Sequence, residues 1–421
     1  MALAFCVQRM GLKARAFIVE HGLREESADE AQLVAKRLAA MGIEVEILPW
    51  THDAVKSRVH VEARAARYGL LAQACAKYGL ETLLIAHHKD DQAETILLRL
   101  AKGSGIEGLA GMAPVTMREG LRLARPFLSV AHARLVATCQ AANVPFVMDP
   151  SNDSPKYARG RLRGVADVLS REGLTVDRLV DLGTRAGEAA AAILHYAMGL
   201  LRENARILPG GVLQVEAGAF ASVPQAVGLK ALSLCLLHIH PSLYDPERRP
   251  LLGVYQKLLD AGDEAVTLHG VEIRKSGAKV TFVRELQNCT DRQVLLSEQP
   301  CLWDGRWIVA LPFETPSLRE APCVSKADEA IQGRCRTVLH DPGLLRCARN
   351  DEEELEIRAL GVQPHALLDE LAPGLRAKIP QGRARAALPA MWRGATLVAI
   401  PSFSEENQGQ VTASLISPLW A

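Results

Sequence analysis

Apolar and polar positions set up a strand–helix rhythm over the first 165 residues. Ala14 to Glu20 is a short apolar run with branched and aromatic side chains and reads as a strand, followed by Glu20-His21-Gly22-Leu23-Arg24. Ser27, with Glu30 three residues on, has capping-box spacing and opens a helix. Ala31, Val34, Ala35, Leu38 and Met41 share one face of that helix, and Gly42 stops it. Ile43 to Leu48 reads as the next strand, Val61 to Tyr78 as the next helix and Thr82 to Ala86 as a buried parallel strand. Strand and helix alternate four times, which predicts an α/β fold, a doubly wound parallel sheet with crossover helices.

The pattern changes where the third strand ends. His87-His88-Lys89-Asp90-Asp91-Gln92-Ala93-Glu94-Thr95 is polar, and the residues after it, Ile96, Leu97, Leu98 and Leu100, return at helical spacing. This cluster lies at a strand-to-helix turn, the edge of an open α/β sheet where ligands bind. Asp90 is the expected N-cap. Asp91 and Glu94, three apart, fall on one helix face near its positive end and invite a cation, Mg2+ or a substrate ammonium. The competing reading is a well-capped surface helix.

Lys102 to Gly111 carries four glycines, Gly103, Gly105, Gly108 and Gly111; it reads equally as a flexible phosphate-facing loop or as an ordinary turn. A helix over Val130–Ala142, a short strand at Phe146-Val147 and turn chemistry at Asp149–Asp153 follow. Lys156, Arg159, Arg161 and Arg163 bring four cations into eight residues with no acid, either a phosphate-contact patch or a solvated helix face. Leu174 to Arg206 predicts one long alanine-rich helix, broken by Pro209-Gly210-Gly211. Val223–His240 and Leu251–Leu259 predict two more, and Glu272–Arg284 a hairpin turning at Ser276-Gly277. From Leu295 the chain is strand-like and proline-punctuated, with Trp303 and Trp307 flanking Asp304-Gly305. These shifts divide the chain into 1–170, a helical region over 171–290 and a β-rich region over 291–421.

The chain of 421 residues is too long for one core. Its net charge of +1 excludes a polycation, so nucleic-acid binding has to use a local patch. The nine cysteines are scattered with no C-x-x-C, as expected of free thiols in a reducing, cytoplasmic setting, and they argue against a zinc ribbon or an iron–sulfur site. The most membrane-like run, Ala186–Leu201, is interrupted by Glu188 and His195, and no membrane association is expected.

Several segments taken in order resemble the tRNA(Ile)-lysidine synthetases, a family of N-type ATP pyrophosphatases. They are Val19–Ser27, Glu62–Tyr68, Ala86–Thr95, Gly105–Leu109, Arg125–Leu128, Asp149–Asn152 and Tyr157–Arg163. Together they cover about residues 15–165; the rest resembles the family's tRNA-binding regions only loosely. The resemblance implies a fold like the adenine nucleotide alpha hydrolases. The family opens with a strand and a Ser-Gly-Gly-x-Asp-Ser loop that grips ATP pyrophosphate. This sequence has neither, so the first strand is expected to be missing. Met1–Cys6 reads as the start of the helix that follows that loop. The favoured expectation is a start codon placed too late, the alternative a truncated gene. The chain as written is then expected to bind ATP weakly.

The resemblance further implies ATP and Mg2+ as cofactors, with tRNA(Ile) and free L-lysine as partners. It places Asp91 and Glu94 at the lysine or Mg2+ site, Asp91 as the metal ligand, and His87 beside the activated base or phosphate. Arg67 and Arg159 become the cations at phosphate and adenylate, and His21, Ala86, His87 and Arg67 the ATP contacts. Lys156, Arg159, Arg161 and Arg163 become tRNA contacts. Taken singly, Arg67 also reads as a surface residue and His87 as a hydrogen-bonded strand-end histidine. The rivals are another tRNA base-modifying enzyme of the same fold, such as a thiolase, and a non-catalytic tRNA-binding remnant.

Overall fold

Strand Arg15–Glu20 (β1) pairs in parallel with Glu44–Pro49 (β2), Arg15 opposite Glu44, in the computed structural model of the chain. Helix Ser27–Ala40 (α2) makes the crossover, burying Ala31 and Leu38. The structure describes residues 1–20, 27–50, 59–118, 121–147, 158–208, 210–242, 244–290, 293–294, 301–310, 355–361, 383–393, 396–399 and 412–415. His21, Lys156 and the turn at Asp149–Asp153 lie outside them. Ahead of β1 is helix Ala2–Arg9 (α1).

Helix Val59–Lys77 (α3) leads to strand Thr82–Leu84 (β3), which pairs in parallel with Leu121–Ala124 (β5). Strand Val115–Arg118 (β4) adds to β5 antiparallel. Among the described residues the parallel α/β pattern is therefore hydrogen-bonded as two sheets, β1–β2 and β3–β5–β4. The expected burial of the third strand is not met: Leu84 is 38% exposed. The reason is that, among the described residues, β3 has a strand partner on one side only. A small core of Tyr68, Cys75, Leu121 and Leu123 packs with Phe17, Leu83 and Ile85.

Helix Lys89–Ala101 (α4) follows β3, then the short helix Ile106–Leu109 (α5), and His132–Ala141 (α6) follows β5. Residues 144–147 are irregular, so the strand expected at Phe146-Val147 does not form. Ala158–Gly164 (α7) and Ala166–Arg171 (α8) precede the 29-residue helix Val176–Asn204 (α9).

The chain divides into two compact units, Met1–Ala191 and Ala192–Ala421. In the second, α9 ends at Asn204 and the chain turns at once into strand Ala205–Leu208 (β6), earlier than the Pro209 break read from the sequence. With Val212–Glu216 (β7), Glu264–Leu268 (β8), Val271–Ser276 (β9) and Lys279–Arg284 (β10) it forms a five-stranded antiparallel sheet, order β6-β7-β10-β9-β8. The β9–β10 hairpin turns at Gly277, with φ +56°, as its sequence predicts. Helices Gln225–Ile239 (α10) and Arg248–Leu259 (α11) cover the sheet, so this stretch is a helix-and-sheet layer rather than helical alone. Its core includes the fully buried Phe220, Leu232, Leu236 and Phe282.

Farther on, strands Cys301–Trp303 and Trp307–Ala310 form a hairpin in which Trp303 faces Trp307 and both are buried. Asp304 and Gly305 take left-handed φ of +49° and +64°, closed by a bond from the Arg306 N–H to the Trp303 carbonyl at 3.1 Å. Asp304 accepts from Arg284 at 2.7 Å and from Arg306 at 3.0 Å, all three side chains being buried. Among the described residues no helix is long and apolar enough to cross a membrane.

Candidate functional site: an acidic cleft at the start of helix α4

The first turn of α4 is built by a histidine. His88, in extended conformation, is the N-cap in place of the expected Asp90. Its Nδ1 accepts from the Asp91 N–H at 3.4 Å, and the Asp91 carboxylate accepts from the His88 N–H at 3.0 Å, a reciprocal capping box. Asp90 is thereby released to cap a different helix: its carboxylate accepts from the His132 N–H at the start of α6 at 2.8 Å. The Lys89 N–H bonds the Val130 carbonyl at 3.0 Å, and His88 bridges to Phe127. The rings of His88 and His132 lie 4.9 Å apart. The segment Arg125–Val130 is thus stitched to the head of α4.

Asp91 and Glu94 face one cleft of about 810 Å³. His88, Asp90 and His132 share its polar wall, while Leu97, Leu162, Leu169 and Val176 supply an aliphatic one. Glu94 is held from the far side by α7: the Arg163 Nε donates to its Oε1 at 2.6 Å, and the Arg159 Nε stands 3.8 Å from its Oε2. An acidic pair beside an aliphatic wall suits a chain-like ligand with a positive end; the two guanidinium groups at the rim suit an anion.

The structure brings together Asp91, Glu94, Arg159 and Arg163 of the residues singled out from the sequence. His87 is half-buried at the end of β3, Ala86 is exposed and Arg67 is exposed on α3; none of the three lines the cleft. Arg161 is exposed on α7. The sequence reading placed His88 in the polar cluster without giving it a role, passed over His132, and assigned Arg163 to tRNA alone, whereas here it clasps Glu94. The capping-box spacing of His88 with Asp91 was the available signal for the first. Nothing local links Arg163 to Glu94, which is 69 residues away. Among the described residues no group of three or more His, Cys, Asp or Glu side chains is arranged to hold a metal ion. None of the described cysteines lines the cleft.

Residues 1–169 match the family model of the PP-loop domain. The fold and the site define a PP-loop protein, with its polar cluster at the strand-to-helix edge. The chain is similar to the tRNA(Ile)-lysidine synthase of Methylobacterium nodulans, 41% identical over 63% of this chain and 81% of that protein. It is also similar to that of Rhodopseudomonas palustris, 37% identical over 67% of this chain and 81% of its relative. The corresponding enzyme of Ruegeria pomeroyi is 34% identical, with 74% and 73% covered. This chain belongs to the tRNA(Ile)-lysidine synthase family.

Proposed function

We propose that the protein is an ATP-dependent ligase that joins free lysine to carbon 2 of the wobble cytidine in an isoleucine tRNA. The supporting observation is that Asp91 and Glu94, from one turn of α4, line the same cleft opposite an aliphatic wall in a chain of this family. In the first step the carbonyl oxygen on carbon 2 attacks the α-phosphorus of ATP and pyrophosphate leaves. In the second the lysine amine attacks carbon 2 and AMP leaves with the oxygen.

The chain's own residues divide this work. Asp91 and Glu94 hold the lysine ammonium, and a carboxylate there takes the proton the amine has to lose before it attacks. Leu97, Leu162 and Leu169 seat the methylenes of the lysine. Arg159 and the exposed Arg67 supply positive charge for the phosphates, with His87 and Ala86 at the strand end beside them, and His21 on the same nucleotide. Lys156 and Arg161 contact the tRNA backbone; Arg163 is better assigned to holding Glu94. Mg2+ belongs to this scheme as the ion that ATP brings, neutralising the departing pyrophosphate. The capping of Asp91 by His88 and the lack of a ligand cluster among the described residues do not fit a resident metal, and no step is assigned to one. The organisation proposed along the chain is a catalytic region over 1–170, with 171–290 and 291–421 serving tRNA.

The test is to incubate the chain with lysine, an isoleucine tRNA bearing a CAU anticodon and ATP in large excess, so that weak ATP binding does not limit the reaction, and to analyse the nucleosides by mass spectrometry. Lysidine is expected, and Asp91→Asn or Glu94→Gln should abolish lysine transfer with tRNA binding kept. Parental turnover in either variant would remove the acids from the mechanism.

A further inference from the structure

We infer that Gln92 and Arg99 are positioning residues that fix the rotation of α4 about its own axis, and so aim Asp91 and Glu94 into the cleft. The inference rests on the reading of that cleft as the amine site. Gln92, Ile96 and Arg99 recur at positions i, i+4 and i+7 and form one stripe of the helix. At about 100° per residue that stripe lies nearly opposite Glu94 and well away from Asp91.

Hydrophobic contact alone would set this face only loosely, because packing of Ile96 is not directional. The polar members of the stripe are directional. The Gln92 Nε2 donates to the Met112 carbonyl at 2.9 Å, and its Oε1 accepts from the Met112 N–H at 2.8 Å. About two turns farther along, the Arg99 Nη1 donates to the carbonyls of Gly108 at 2.7 Å and Gly111 at 2.6 Å. Four hydrogen bonds from one helix face thus grip the main chain of one short segment, α5 and the loop that follows it.

The loop is shaped to receive them. Gly111 has φ +74°, and a Cβ there would stand 2.6 Å from the Gln92 amide nitrogen, so glycine is required for both conformation and room. A second arginine braces the loop from behind: the Arg125 Nη1 donates to the Ala113 carbonyl at 2.8 Å and the Thr116 hydroxyl oxygen at 3.1 Å. The glycine-rich segment, left open by the sequence as phosphate loop or plain turn, is on this view a bearing for α4.

The mechanical stake is simple. For a carboxylate about 6 Å from the helix axis, a roll of about 10° moves the oxygens about 1 Å. A displacement of about 1 Å at reacting groups can cost about a hundredfold in rate.

Two comparisons test this. Gln92→Met keeps length and removes both hydrogen bonds; Arg99→Met removes its two, whereas Arg99→Lys retains a donor. Two quantities are read for each variant: formation of AMP-adducted tRNA without lysine, and the lysine concentration giving half-maximal transfer. That lysine concentration is expected to rise about tenfold or more in Gln92→Met and Arg99→Met and less in Arg99→Lys, with adduct formation held within about twofold. Equal loss in both half-reactions would show general damage and overturn the inference, as would unchanged lysine dependence. If Gln92→Met fails to fold, the Arg99→Met and Arg99→Lys pair decides alone. Asp91→Asn and Glu94→Gln separate the two levels. Lysine transfer surviving in them removes the reading of the cleft itself. Transfer lost in them but intact in Gln92→Met and Arg99→Met removes only the brace.

Discussion

Asp304 holds two guanidinium groups where water does not reach them, and such a residue gives away its role when it is neutralised. Asp304→Asn keeps the shape of the turn but leaves Arg284 and Arg306 buried opposite an amide. A loss of roughly 3–5 kcal/mol in unfolding free energy is expected, measured by urea denaturation of parent and variant. A second prediction concerns acid. Burial, with the charge of Arg306 nearby, pushes the His238 pKa from 6.5 down to about 4. The unfolded chain therefore binds this proton at a higher pH than the folded one. Stability contributed by neutral His238 is present above pH 6.5 and is lost as pH falls towards 4, approaching about 3 kcal/mol. His238→Gln should flatten that part of the stability–pH curve. Neither residue was given a role in the sequence, where Asp304-Gly305 was noted only as flanked by Trp303 and Trp307. At the cleft the sequence singled out Asp91 and Glu94, and both side chains line it. It did not show which neighbour occupies each lone pair, and so Asp90 was read as the cap that His88 supplies.

At the scale of elements, α4 and α9 meet through a missing side chain. A Cβ on Gly183 would lie 2.6 Å from the Ile96 Cδ1 and 3.3 Å from the Leu109 carbonyl oxygen. Gly183→Val should wedge the first half of α9 off α4 and cost about 1–3 kcal/mol, visible as a lower melting temperature. Element type was legible wherever periodicity was long: α2, α4, α9 and the β9–β10 hairpin follow their hydrophobic patterns. What escaped was set by distant partners. Thr82–Leu84 has the composition of a central strand yet is half-open, since burial depends on which strands lie beside it. Phe146-Val147 has strand-forming residues but gains no ladder. The five-stranded sheet was hidden because β6, β7 and β8 are short and the β7–β10 pairing is long-range, with Leu213 opposite Phe282.

For the whole molecule, a net charge of +1 means that no global field draws in RNA. On the proposed function, tRNA affinity rests on local cations such as Arg161, exposed on α7. Binding is expected to weaken as salt rises, and Arg161→Ala should reduce the salt slope by about one unit while weakening all tRNA sequences alike. Filter binding across a salt series reads both. The sequence reading put its divisions at residues 170 and 290, whereas the two compact units meet at residues 191 and 192, inside α9, a helix whose unbroken pattern carries no mark of a division.

The tryptophan pair at the Asp304 turn has a practical consequence. Four of the five tryptophans, Trp303, Trp307, Trp392 and Trp420, belong to the second unit, and Trp50 alone to the first. Intrinsic fluorescence during denaturation will therefore report almost entirely on the C-terminal half. A ligand that stiffened the acidic cleft would leave that emission nearly unchanged, and a dye or a label placed near α4 would be needed to see it.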